Sequence, residues 1–250
     1  MDKKYYILDT KNYYTEYFID DTKRPLIVVS PGGGYLYTSP RESKPVANVF
    51  NKLGYHVVVV NYREDITEKY PKTANYLAYV IKKYRSDLRV DKIIGLGFSA
   101  GGHNILEVAL HHEKYGEGTR PDLLILGYPV VTADERYWHM GSFKNLLLED
   151  FNDINLREYL SLETQVKSDA PDLFLWGTIT DESVHVMNSI LLLEAYKKNN
   201  CNIEYHCFPM GGHGLSVCNL ESAENNIDKV NPYIEKWISL ADSWLEEKLK

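Results

Sequence analysis

Several features are scarce in this 250-residue sequence, and each absence excludes a class of protein. Its three cysteines, Cys201, Cys207 and Cys218, have no Cys-x-x-Cys spacing, which excludes a disulfide framework and a thiolate zinc site. Lys and Arg number 28 against 35 Asp and Glu, a net charge of −7, which argues against nucleic-acid binding. No apolar run is long enough to span a membrane, and the first residues lack the apolar segment of a secretory signal. We therefore expect a cytoplasmic protein with reduced thiols that binds neither nucleic acid nor membrane.

The sequence does contain a regular alternation of short apolar runs with longer amphipathic segments. The expected buried strands are 26–30, 55–62, 93–96, 123–131, 173–177 and 203–208. The expected helices are 42–53, 70–84, 100–114 and 184–198, and the segment 227–249 is expected to contain the closing helix. Strands that alternate with helices form βαβ units, so the fold class is α/β, a mostly parallel sheet with helices on both faces. Tyrosine-rich runs at 3–9 and 13–20 predict an antiparallel pair at a sheet edge.

One stretch departs from the alternation. Residues 132–168 mix aromatic, polar and short helical segments after a central strand. We interpret them as a small lid-like insertion over the carboxyl edge of the sheet. Neither a linker nor a repeat interrupts the chain, so a single domain covering 1–250 is expected.

A glycine-rich corner, Gly97-Phe98-Ser99-Ala100-Gly101, joins an apolar run to a helical run. Small residues around the serine let a strand turn sharply into a helix, which raises the hydroxyl at the carboxyl edge of a sheet. An ordinary glycine-rich turn is the alternative, but the flanking strand and helix are the context that this G-x-S-x-G motif requires. Ser99 is therefore the candidate nucleophile, and the amide of Ala100 is expected to face the same space.

A serine hydroxyl needs a general base, and the base needs a group that fixes its tautomer. In a parallel sheet these groups come from loops at the carboxyl ends of strands. His213, flanked by two glycines, follows the last strand and is the candidate base. Asp181 and Glu182 both follow the strand 173–177; we prefer Asp181, and Glu182 stays open. The order Ser99, Asp181, His213 is that of an α/β-hydrolase.

A second glycine loop, Pro31-Gly32-Gly33-Gly34-Tyr35, ends the strand 26–30. Three successive glycines allow backbone amides to face outward and a ligand to come close. A phosphate-binding P-loop is excluded because no Gly-Lys-Ser/Thr follows.

Together these motifs resemble the bacterial carbohydrate-type esterases of the α/β-hydrolase fold, the acetylesterases, acetyl-xylan esterases and esterase/lipases. The resemblance runs from about Leu26 to the C-terminus. Its motifs are Pro31–Tyr35, Arg41-Glu42, Asn61-Tyr62-Arg63, Gly97–His103, Tyr128-Pro129-Val130, Trp176-Gly177-Thr178 with Asp181, and Gly212-His213-Gly214. It implies a triad of Ser99, Asp181 and His213. It also implies an oxyanion hole formed by the amides of Ala100 and of Gly33 or Gly34.

The chain departs from this family pattern at two positions. Pro31 stands where related lipases and esterases have histidine, so any hydrogen bond from that histidine is lost. The acidic residue also follows its strand one position later than in many relatives.

The expected function is hydrolysis of short acyl esters, acetyl esters first, of sugars or oligosaccharides, without metal or cofactor. Tyr35 is the candidate substrate-binding residue, and Tyr37, Tyr137, Trp138 and His139 are further expected walls that suit a polar alcohol. Two alternatives stay open on the same fold, a peptidase or amidase and a catalytically silent binding protein. The expected partner is a small-molecule ester; a homodimer is also open.

Overall fold

The computed structural model describes residues 3–250 and has one eight-stranded sheet at its centre. The strands are β1 (Lys3–Tyr6), β2 (Tyr13–Tyr17), β3 (Arg24–Ser30), β4 (His56–Asn61), β5 (Val90–Phe98), β6 (Leu123–Gly127), β7 (Asp172–Thr178) and β8 (Ile203–Phe208). Their order across the sheet is β1-β2-β4-β3-β5-β6-β7-β8. The six strands from β4 to β8 in this order are parallel, whereas β1 and β2 form an antiparallel pair at one edge. Both features confirm the predictions for the sheet.

Helices cover both faces of the sheet. They are α1 (Lys44–Lys52), α2 (Lys72–Arg85), α3 (Ser99–Leu110), α4 (His112–Tyr115), α5 (Met140–Leu147), α6 (Ile154–Tyr159), α7 (Met187–Lys198), α8 (Leu220–Ala223) and α9 (Trp237–Lys248). Apolar side chains of α1 and α9 form one core with the sheet, and those of α2, α3 and α7 form the other. The central strands are buried on both faces, which explains why their sequences are continuous apolar runs rather than alternating ones.

One predicted strand ends earlier than expected. The predicted strand 123–131 stops at Gly127, because Tyr128 has a φ of +39° and a proline follows it. The segment 227–249 contains the closing helix, α9, as predicted; two short 3₁₀ turns precede it.

The insertion at 132–168 contains α5, α6 and 3₁₀ turns, and it packs on the carboxyl edge of the sheet. The side-chain amide of Asn145 donates to the carbonyl oxygen of Gly34 at 2.8 Å. The carbonyl oxygen of Leu160 lies 2.9 Å from Nε2 of His103. The insertion is therefore anchored to the glycine loop 31–35 and to α3. None of the helices formed by residues 3–250 is long and apolar enough to cross a membrane.

Candidate active site

The corner between β5 and α3 holds Ser99 in a conformation that its neighbours must accommodate. Ser99 has a φ of +52°, the left-handed region that costs energy for a residue with a side chain. A Cβ on Gly97 would lie 2.7 Å from the carbonyl oxygen of Gly101, and one on Gly101 would overlap the backbone of Ser30 and Pro31. Both positions therefore require glycine for steric reasons, as the motif predicts.

His213 lies between the serine and an acid. Its Nε2 is 2.8 Å from Oγ of Ser99, and its Nδ1 is 2.7 Å from Oδ2 of Asp181. A carboxylate can only accept a hydrogen bond, so Nδ1 carries the proton and Nε2 presents a lone pair to the serine hydroxyl. This is the arrangement in which a neutral imidazole can remove the serine proton.

Asp181 is held ionised by hydrogen bonds. Its side chain is 2% exposed, and its Oδ1 accepts from the amides of Ser183 and Val184, both at 2.9 Å. Burial alone would raise the pKa of Asp181, but the bond to His213 and the two amides outweigh it, and the pKa lies below the ordinary aspartate value. Glu182 is exposed on the same loop. The fold thus brings Asp181, and not Glu182, to His213.

The loop at 31–35 adjoins the serine, since a Cβ on Gly32 would lie 3.0 Å from Cβ of Ser99. Gly33 and Gly34 have φ values of +121° and +63°. The carbonyl of Gly32 accepts from the amide of Ser39 at 2.9 Å, and that of Gly33 accepts from Leu36 at 3.0 Å. Carbonyl and N–H of one trans peptide point in opposite directions, so the amides of Gly33 and Gly34 point away from this turn. They are free to receive an oxyanion.

A third amide and an anchor complete this part of the site. Ala100 lies in the first turn of α3, where the amides have no partner within the helix. Pro31, which replaces the histidine of related esterases, is held through its carbonyl oxygen by the hydroxyl of Tyr62 at 2.7 Å. The loop therefore keeps an anchor although proline has no N–H to donate.

Tyr35 does not form an exposed wall of the site. Its side chain is 1% exposed, and its hydroxyl lies 2.9 Å from Nδ1 of His103. Because the carbonyl of Leu160 can only accept, Nε2 of His103 donates to it and Nδ1 accepts from the tyrosine. Burial lowers the pKa of His103 to about 4, which keeps this bridge neutral. Beneath the surface, Tyr35 thus links the loop 31–35, called the oxyanion loop below, to α3 and to the insertion.

Glu42 is a site residue that sequence reasoning missed. It is 2% exposed, and its Oε2 accepts from the amide of Gly32 at 2.8 Å. Its Oε1 accepts from the hydroxyl of Tyr128 at 2.7 Å, which in turn accepts from the amide of Ser216 at 2.8 Å. The Tyr128 ring packs edge-on against His213, with centroids 4.9 Å apart. One buried carboxylate therefore connects the oxyanion loop to the histidine loop.

Arg41-Glu42 is one of the motifs of the family resemblance, but the sequence assigned Glu42 no role. It lies among polar residues before an amphipathic helix, where an exposed carboxylate is the usual outcome. Across residues 3–250, no group of three or more His, Cys, Asp or Glu side chains is placed to hold a metal ion.

Comparison with known proteins agrees with this fold. The profile of a family with the alpha/beta hydrolase fold matches residues 27–187, and the chain belongs to this family. Among solved structures, the chain is 34% identical to an acetyl ester-xyloside bifunctional hydrolase from Caldicellulosiruptor lactoaceticus, with a TM-score of 0.83, covering 96% of this chain and 89% of that one. It is 27% identical to the carboxylesterase Cest-2923 from Lactobacillus plantarum, with a TM-score of 0.82, covering 99% and 97%.

The curated relatives are longer proteins. The chain is 36% identical over 218 residues to endo-1,4-beta-xylanase B of Butyrivibrio fibrisolvens. The aligned region covers 81% of this chain and 34% of the relative. It is 30% identical over 200 residues to an acetylxylan esterase of Xylanibacter ruminicola, covering 76% and 40%. The aligned regions thus span only a third to two fifths of these relatives.

Proposed function

We propose that this protein is a serine carboxylesterase that removes short acyl groups, acetyl foremost, from esters of sugars or oligosaccharides. The observation that carries the proposal is the hydrogen-bonded series Ser99, His213 and Asp181 beside the free amides of the loop 31–35 and of α3. These are the parts that acyl transfer through a serine requires.

The first half of the reaction forms an acyl-enzyme. Oγ of Ser99 attacks the ester carbonyl carbon while Nε2 of His213 takes the hydroxyl proton. The carbonyl oxygen becomes negative and is received by the amides of Gly33, Gly34 and Ala100, each worth about 3 kcal/mol by analogy with other oxyanion holes. When the intermediate collapses, the bond to the alcohol oxygen breaks and His213 returns the proton to it.

The second half repeats these steps with water. His213 removes a proton from water, the hydroxide oxygen attacks the acyl carbon, and the bond to Oγ breaks as Ser99 recovers its proton. Asp181 stays ionised throughout, because its two backbone amide bonds persist, and it stabilises the imidazolium that forms twice in each cycle.

Close packing beside the nucleophile supports the preference for short acyl groups. The amide of Val130 donates to the carbonyl oxygen of Ser99 at 3.1 Å, so Val130 adjoins the corner. The side chains packed with Val130 leave no room there even for a water molecule; they are Tyr35, His103, Ser142, Phe143 and Leu146. A long acyl chain would need an extended apolar wall there, since each buried CH₂ contributes about 0.8 kcal/mol only where a wall exists.

A wider cleft, lined in part by Asp181, supports a polar alcohol. It lies between the insertion and the loop that follows β7, with a volume of about 560 Å³. Its lining includes Tyr137, Trp138, Ile179, Glu182 and His185. Aromatic faces with polar groups at their edges suit a sugar ring. The names of the relatives from Caldicellulosiruptor and Xylanibacter support the same substrate class.

The test compares p-nitrophenyl acetate, butyrate, octanoate and palmitate with an acetylated xylo-oligosaccharide and an aminoacyl arylamide. We expect kcat/KM to fall beyond butyrate, and Ser99→Ala to fold normally with a loss of several orders of magnitude in kcat. A fluorophosphonate should label Ser99. A maximum at octanoate or longer would contradict the short-acyl assignment. Faster cleavage of the arylamide would make the protein an amidase, and an adduct on another serine would displace Ser99.

A further inference from the structure

His139 precedes α5 in the insertion and caps that helix with its ring. Its Nδ1 lies 3.2 Å from the backbone amide of Ser142 and 2.8 Å from the Ser142 hydroxyl oxygen. A backbone N–H can only donate, so Nδ1 is an acceptor and the neutral ring carries its proton on Nε2. Ser142 is 1% exposed and packed in place. The tautomer and the orientation of His139 are therefore set by the insertion itself.

The ring of His139 lies over the oxyanion loop. Its Cε1 is 3.9 Å from the position that a Cβ on Gly34 would occupy. It is also close enough to His213 and Asp181 to interact with their charges. Partial burial, and then the neighbouring His213, lower the pKa of His139 below its usual value, while Asp181 opposes this. The ring is thus neutral at pH 7, with an N–H on the edge next to Cε1.

That N–H has no acceptor within the part of the chain that the structure describes. The hydrogen bonds of His139 all involve Nδ1, and they hold the ring against Ser142. Nε2 is the neighbour of Cε1, the atom that lies nearest Gly34. The free donor is therefore bonded to the ring atom that lies next to Gly34 in the loop 31–35.

We propose that Nε2–H of His139 donates a hydrogen bond to the carbonyl oxygen of the bound ester, as a side-chain member of the oxyanion hole. This inference rests on the proposed function. No proton is transferred: the oxygen becomes negative when Ser99 attacks, and the N–H of His139 receives it together with the amides of Gly33, Gly34 and Ala100. The insertion thereby supplies a donor to a loop in which Pro31 has replaced a histidine.

Two matched variants isolate this donor. In His139→Asn, the side chain can still cap α5, because asparagine is a favoured N-cap residue, but nothing replaces Nε2. In His139→Gln, the longer amide places an N–H near the former Nε2. We expect His139→Asn to lower kcat by about 10²-fold on both p-nitrophenyl acetate and acetylated xylo-oligosaccharide, as for loss of one oxyanion donor, with KM changed less than threefold. His139→Gln should recover at least tenfold of that loss.

His112→Gln is the matched control and should leave kcat unchanged. His112 lies on α4, with its Nε2 3.5 Å from Oδ2 of Asp169. Thermal unfolding of each variant monitors the helix cap. If His139→Asn keeps kcat within threefold on both esters, the proposal is wrong. A loss confined to the sugar ester would also overturn it, because His139 would then bind the alcohol. Both of these outcomes require that the wild-type protein has esterase activity. If the proposed function were wrong, the wild-type protein itself would have none.

Discussion

Two buried carboxylates in this protein accept hydrogen bonds from the same kind of donor, a tyrosine hydroxyl, but join different parts of the molecule. Glu42 is 2% exposed and Glu107 is 1% exposed, and each accepts hydrogen bonds from tyrosine hydroxyls. Glu42 lies at the carboxyl edge of the sheet and accepts from Tyr128 and from a backbone amide of the oxyanion loop. Glu107 lies eight residues beyond Ser99 on α3 and accepts from Tyr70 at 2.8 Å and Tyr115 at 2.7 Å.

The difference lies in the segments that each carboxylate joins. The partners of Glu107 belong to the segment before α2 and to α4, so this cluster fastens three helices to one another. Burial first, and then the nearby charge of Glu107, raise the pKa of Tyr70 and of Tyr115, so both hydroxyls stay protonated donors. The partners of Glu42 instead belong to the loops that carry the oxyanion amides and His213. Identical chemistry thus stabilises helix packing in one place and positions reacting groups in the other.

The largest loss of kcat is expected at Asp181, the carboxylate that contacts His213, and the losses at Glu42 and Glu107 are compared with it. Asp181→Asn should lower kcat by about 10⁴-fold with the fold intact, because an amide favours the wrong tautomer of His213. Glu182→Gln, its neighbour, should lower kcat less than threefold. Steady-state kinetics on p-nitrophenyl acetate measures both. Reversed magnitudes would transfer the role to Glu182.

A smaller loss of activity is expected from Glu42→Gln. The amide keeps the shape of the side chain, but its NH₂ group faces either the amide of Gly32 or the hydroxyl of Tyr128, so one buried donor loses its acceptor. The lost hydrogen bond should displace the oxyanion loop or the histidine loop, which carry groups that act on the reacting atoms. We therefore expect kcat to fall about 10- to 100-fold, with KM changed less than threefold. A change in thermal stability without any change in kcat would mean that Glu42 only supports packing.

The smallest effect on activity is expected from Glu107→Gln, the matched change in the other cluster. Oε1 of Glu107 accepts from both tyrosine hydroxyls, so the glutamine oxygen can still accept from both, but as a neutral group. The weaker hydrogen bonds should lower the free energy of unfolding by about 1 kcal/mol. Because no member of this cluster contacts the triad, kcat at 25 °C should stay within twofold of wild type. Urea unfolding and kinetics on the same preparation check both parts. If kcat fell as far as in Glu42→Gln, the two carboxylates would not differ in role.

Much of the fold and the chemical centre could be predicted from local sequence. The serine corner follows from contacts within a few residues, since Gly97 and Gly101 leave no room for a Cβ. Continuous apolar runs indicate strands buried on both faces, and their alternation with helices predicts a parallel sheet. The position of His213 between two glycines after the last strand marked it as a loop histidine. In each case the signal is local, because sterics or periodicity within one segment determines the outcome.

Only the tertiary structure decided which of two adjacent acids turns inward and which polar side chains are buried. The sequence favoured Asp181 but left Glu182 open. Two amides of the following turn hold Asp181 toward His213, while Glu182 remains exposed. Tyr35 and Glu42 have polar side-chain groups and lie in polar stretches of sequence, yet elements distant in sequence bury both of them. Burial and hydrogen-bond direction depend on segments that meet only when the sheet closes, and no local pattern contains that information.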